Sequence, residues 1–148
     1  MYKEIQEFLS SKAIAIVGAS HKKNEFSHML LDAFVSKGFT VYPVNPSYNE
    51  IDGIKTYPTI SVLPNDVDAV YIIKRKDLAI DMAREAAIRG IKKIWIHVKC
   101  NSPEIKELSK EYGVTIIAGE CFFMWAEPVK GLHKFHRFIR SIFDKDVQ

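Results

Sequence analysis

Ala13-Ile14-Ala15-Ile16-Val17-Gly18-Ala19-Ser20 decides how the rest of the chain is read. Five apolar residues in succession stop at a glycine and pass into a polar, basic loop, His21-Lys22-Lys23-Asn24. A strand with one wet face alternates apolar and polar residues. A short strand with no alternation is buried on both faces, as in a parallel sheet covered by helices. Beyond the loop the period changes. Phe26, Met29, Leu30, Ala33 and Phe34 recur at helical spacing, and Gly38 supplies a C-terminal cap.

Working outward, the alternation continues. Thr40-Val41-Tyr42-Pro43-Val44 reads as a second strand with a proline near its end, and Asn45-Pro46 breaks it. Ser47 to Asp66 is irregular, with a helical turn expected near Ile60 to Leu63. Asp68 to Ile73 is a third apolar strand, Asp77 to Arg89 an alanine-rich helix ended by Gly90, and Lys93 to His97 a fourth strand. Ser102-Pro103-Glu104 starts a helix with a cap, a proline in its first turn and an acid facing the dipole. That helix buries Ile105, Leu108 and Tyr112 and stops at Gly113; Thr115 to Ala118 is the fifth strand.

Strands and helices in this rhythm mean right-handed βαβ units. The expected fold is an α/β, Rossmann-like three-layer domain. Its five-stranded parallel sheet has order 3-2-1-4-5, helices on both faces and a C-terminal amphipathic helix. No linker or repeat divides the chain, so residues 1–125 form the core domain and residues 126–148 its helical extension.

At 148 residues the chain can bury a core without disulfides or metals. A net charge of +3 lacks the large basic surplus of a nucleic-acid binder but suits one anion pocket. Only Cys100 and Cys121 are present, with no CxxC pair, which fits a reducing compartment. The N-terminus has no signal-peptide pattern, and no apolar run approaches the roughly 18 residues that span a bilayer. The expected location is the cytoplasm.

In an open parallel sheet, ligands bind beyond the carboxyl ends of the strands, where strand order reverses. With order 3-2-1-4-5 that mouth lies between the loops after strands one and four. Gly18 permits a tight turn, Ala19 lets a ligand approach the backbone, Ser20 offers a hydroxyl, and the following helix start presents free amides to a phosphate. His21, Lys22 and Lys23 add positive charge. A dinucleotide site would show G-x-G-x-x-G and an acid at the end of strand two. This chain has one glycine in the loop and Asn45-Pro46 at that end, so both determinants of NAD binding are missing.

Val17-Gly18-Ala19-Ser20, Tyr42-Pro43-Val44-Asn45-Pro46, Gly53-Ile54-Lys55-Thr56-Tyr57-Pro58-Thr59-Ile60 and Asp68-Ala69-Val70 follow one another in a telling order. From about Ser11 to Cys121 the chain resembles the CoA-binding domain family, small Rossmann-like proteins similar to the CoA-binding domain of the succinyl-CoA synthetase α subunit. The resemblance implies coenzyme A or an acyl-CoA as ligand. It sets Gly18, Ala19, Ser20 and Lys22 near the phosphates, Asn45 and Pro46 beside the nucleotide, and Ile73, Lys74 and Arg75 at the border of the pocket. Lys22, Lys74 and Arg75 also make electrostatic sense against several phosphate charges. The chain departs from the family at Trp95-Ile96-His97-Val98-Lys99 and Gly119-Glu120-Cys121, toward the pantetheine end. The synthetases' phosphorylated histidine belongs to a second domain, so ligase activity does not carry over.

The remaining reactive types have plainer readings. Cys121 follows the last strand, where a CoA thiol would arrive, but a small buried thiol explains it without chemistry. His97 ends a strand at the ligand side, as a pocket contact or a core histidine. His133 and His136 are three apart with Glu127 upstream, yet no third ligand is fixed, so no metal site is assigned. Leu132, Phe135, Ile139, Ile142 and Phe143 form an apolar stripe for packing on the sheet or for a homodimer contact; a membrane contact is the minority reading. The expected function is therefore non-catalytic binding of CoA or an acyl-CoA, with no nucleic-acid partner. The alternatives are an NAD(P)- or CoA-thiol-using enzyme with Cys121 and His97, or an interaction module with a vestigial nucleotide pocket.

Overall fold

A computed structural model describes residues 1–100 and 102–125. The expected final helix, with its apolar stripe and with His133, His136 and Glu127, lies outside the described residues. Helix α1 (Tyr2–Leu9) leads into β1 (Ala13–Val17), α2 (Phe26–Ser36) and β2 (Thr40–Val44). A two-stranded hairpin, β3 (Glu50–Ile51) and β4 (Ile54–Lys55), and a 3-10 turn at Ile60–Val62 lead to β5 (Ala69–Ile72). Then follow α3 (Lys76–Ile88), β6 (Lys93–Ile96), α4 (Pro103–Tyr112), β7 (Thr115–Ala118) and the short α5 (Phe122–Trp125).

All five main strands are parallel, and the class is the one expected: a Rossmann-like α/β sheet flanked by helices. Their order is β2-β1-β5-β6-β7, which is 2-1-3-4-5 in the count of main strands and corrects the expected 3-2-1-4-5. Pro43 supplies the physical reason. Its carbonyl accepts from Tyr57 N at 2.9 Å on the outer side of β2, so its missing N–H also faces outward. A proline is tolerated at a sheet edge and not between two strands. β2 therefore ends the sheet, sealed by a single parallel bridge between Val44 and Tyr57, and β5 takes the other flank of β1.

Alternate residues of β1 feed two cores. Ile14 and Ile16 join Ile5 and Phe8 of α1 and Leu30, Leu31 and Phe34 of α2 on one face. Ala15 and Val17 join Ala79, Ala83 and Ala86 of α3 and Ile105 and Leu108 of α4 on the other. Helix α1 was not among the expected elements, although Ile5, Phe8 and Leu9 have helical spacing. It is integral: Phe8 packs edge-on against Trp95 with centroids 5.1 Å apart. The hairpin was also missed. Asp52-Gly53 is a two-residue turn with φ of 51° and 78°, the pattern that lets a hairpin follow the twist of its strands. Helix α4 starts at Pro103 as expected, but Ser102 makes no side-chain capping bond. No described helix is long and apolar enough to cross a membrane.

Candidate functional site

The strand order moves the mouth. It reverses between β1 and β5, so the switch point lies between the loops after the first and third main strands and not, as expected, after the first and fourth. The two loops touch. Gly18 has φ of 90°, and a Cβ on it would lie 2.5 Å from the carbonyl oxygen of Ile73 and 3.5 Å from Cε of Lys74. Glycine is therefore demanded twice, by the backbone angle and by the neighbouring chain. The aliphatic stem of Lys74 arches over the glycine turn.

Backbone bonds hold the edge level. Gly18 N donates to Val44 O at 3.0 Å, and Ile73 N donates to Val17 O at 2.9 Å. Asn45 ties the β2 end to the first loop. Its Nδ2 donates to Ala19 O at 2.8 Å, while its Oδ1 accepts from Ser47 N at 2.9 Å. Both ends of the amide are thus engaged, and Asn45 shapes the loop. Ser20 is buried and its Oγ accepts from Lys22 N at 3.1 Å, which folds the loop back on itself. Gly18, Ala19, Ser20, Asn45, Ile73 and Lys74 are thereby brought together, and Pro46 lies exposed beside Asn45.

The cations differ in availability. Lys22 Nζ lies 3.8 Å from Glu25, and Arg75 Nε lies 3.1 Å from Asp77, both exposed and screened by water. Among the described residues Lys74 has no carboxylate partner. Of these three it has the least to give up on meeting an anion.

Two features escaped the sequence reading. Tyr48 leaves the irregular segment to meet His21 edge-on, ring centroids 4.6 Å apart, making an aromatic ledge beside the first loop. Phe26, at the start of α2, stacks on His97 at 4.4 Å, and Phe123 abuts Phe26 at 5.7 Å. His97 Nδ1 lies 3.1 Å from the hydroxyl of Tyr71, with the donor set by the imidazole tautomer. His97 is thus half-buried within an aromatic cluster at the ligand side of the sheet. No local periodicity reports such contacts, because they join separate elements.

Cys121 sits as a small core thiol, 2% exposed. Burial pushes its thiol up, against amide bonds from Phe123 and Met124 that pull it down. A thiol nucleophile needs the thiolate and access, and Cys121 has neither favoured. Cys100 is buried in the opposite core.

Residues 12–126 match the family described as CoA binding domain. The chain belongs to that family. Among solved structures, a conserved hypothetical protein from Pyrococcus furiosus is 36% identical and superposes with a TM-score of 0.71, over 78% of this chain and 99% of that one. The uncharacterised YneT of Bacillus subtilis is 30% identical over 119 residues, 80% of this chain and 88% of its own. The ADP-forming acetate–CoA ligase of Methanocaldococcus jannaschii is 27% identical over 126 residues, 80% of this chain. The chain spans only 18% of that ligase's length, and the same share of a trans-feruloyl-CoA synthase that is 29% identical. Sequences similar to this chain thus occur both as small proteins and as parts of much longer ligases.

Proposed function

We propose that the chain binds coenzyme A or an acyl-CoA, without catalysis, in the cleft between the loops after β1 and β5. The Gly18-Ala19-Ser20 turn and Lys22 would face the phosphates, Lys74 would pair with one of them, and Asn45-Pro46 with Ile73 and Arg75 would form the rims. One observation carries this reading: Lys74, without a carboxylate partner among the described residues, lies across a glycine turn too close-packed for any side chain. A phosphate there meets backbone amides and an ammonium together. Family membership supports the ligand. The buried, up-shifted Cys121 weighs against thiol exchange. Asn45 in place of an acid at the β2 end weighs against NAD, whose ribose hydroxyls need that acid.

Calorimetric titration with CoA, acetyl-CoA, NAD, NADP and ATP, repeated on Lys74→Ala, tests the proposal. Saturable binding of CoA, weakened in the variant and absent for the nicotinamides, is the expected outcome. Absence of binding to any of the five would overturn it and turn attention to partner binding.

A further inference from the structure

Away from that cleft, ionisable groups from α2 and the hairpin converge on one buried imidazole. His28 lies in the first turn of α2 and is 2% exposed. Its Nε2 is 2.7 Å from Oδ2 of Asp52, in the hairpin turn. Its Nδ1 is 3.4 Å from Oδ2 of Asp32, one helical turn further on. That Nδ1 is buried and makes no hydrogen bond. The two carboxylates reach solvent, with side chains 60% and 43% exposed for Asp32 and Asp52. One ligating atom from each of the three residues lies within 4.8 Å of the others.

The chemistry of the contact follows from the short bond. With Nε2–H donating to Asp52, the neutral imidazole carries its lone pair on Nδ1. The lone pair then lies beside a carboxylate oxygen, two acceptors with no donor between them and one of them sealed from water. Such a pair calls for a cation. Two donors about 2.0–2.1 Å from a tetrahedral metal stand about 3.4 Å apart, which is the spacing present. A carboxylate gripping the far nitrogen is also the usual means of orienting a metal-bound histidine.

We propose that His28 Nδ1 and Asp32 bind a divalent cation of borderline softness, Zn²⁺ or Co²⁺, with Asp52 orienting the imidazole and water completing the coordination. One nitrogen and one carboxylate disfavour Mg²⁺, which prefers oxygen ligands in octahedral array. The cation would clip the first turn of α2 to the next and fix the imidazole whose far nitrogen holds Asp52 of the hairpin turn.

The test uses the full chain stripped with a chelator, then Zn²⁺, Co²⁺ or Mg²⁺ added, read by thermal unfolding and by cobalt visible absorbance. Zn²⁺ and Co²⁺ at roughly 100 times Kd are expected to raise Tm by about 5 °C or more, Mg²⁺ to leave it unchanged. Asp32→Asn, at an exposed position, should lose the shift and the absorbance, and Asp52→Asn should weaken both. A His133→Ala/His136→Ala variant should retain them. The proposal is overturned by no shift in the unsubstituted chain, by its persistence in Asp32→Asn, or by its loss in the double histidine variant. Metal-independent stabilisation on acidification, lost in Asp32→Asn and without cobalt absorbance, would show a proton filling the gap and would equally overturn it.

Discussion

The carbonyl oxygen of Ile73 occupies the space that a side chain on Gly18 would need, 2.5 Å from the position of its Cβ. Two loops 55 residues apart in sequence thus meet through the absence of one atom. Gly18→Ala must bend the backbone from a φ of 90° and push Ile73 aside. It should destabilise the fold by about 2–4 kcal/mol and weaken CoA binding. Gly113→Ala, with φ of 61° and nothing within 4 Å, carries the backbone strain alone and should cost about 1 kcal/mol. Urea unfolding of the pair separates the clash from the angle; equal losses would refute the role given to Ile73.

Lys74 should matter for ligand and not for fold. Lys74→Ala is expected to leave the urea midpoint within about 0.5 kcal/mol of the parent and to lower CoA affinity roughly 10- to 100-fold, the worth of one charge-assisted hydrogen bond. Lys74→Arg should recover most of the affinity. Equal affinity in the alanine variant would exclude Lys74 from the phosphates.

Removing the ring of Phe8 should cost about 3–5 kcal/mol, since the side chain is wholly buried against Trp95 and Tyr71. Circular dichroism with urea titration of Phe8→Ala gives the number. A loss under about 1 kcal/mol would mean that α1 is an accessory and not a wall of the core.

Alkaline pH should erode stability. Burial holds the Cys121 thiol up, burial and the Cys121 charge hold the Tyr71 phenol well up, and the Asp66 hydrogen bond with burial pushes Tyr42 up to about 12. All three are neutral when protonated, so the folded chain keeps protons that the unfolded chain releases. Their contribution is complete below the ordinary values of 9.0 and 10.0 and is lost as pH rises through the folded ones. The urea midpoint should fall steadily between about pH 9 and 11, less steeply in Asp66→Asn. A flat profile over that range would contradict the assignment.

The fold class was legible because wholly apolar strands such as Ala13–Val17 and Ala69–Ile72 report burial on two faces. Strand order was less so. Pro43 carried the edge signal, but its force depends on which side of the strand the missing N–H faces, and that needs the partner Tyr57. The hairpin at Asp52-Gly53 is signalled by the dipeptide, but it lies within a segment, Ser47 to Asp66, that otherwise reads as irregular. The tight turn at Gly18 could be named in advance, because turn chemistry is local, whereas Lys74 enters only through the family resemblance. The Asn45–Ala19 tie, the His21–Tyr48 ledge and the His28–Asp52 contact join distant segments, and no spacing rule encodes them.

The position of β1 between β2 and β5 has a temporal consequence. During synthesis the glycine loop emerges before Ile73 and Lys74, which leave the ribosome only after the whole crossover from β2 has been made. A nascent chain carrying β1, α2 and β2 alone lacks one wall of the cleft. Any ligand held between the two loops would therefore stabilise only chains whose third main strand has docked, and would favour completed molecules over partly made ones.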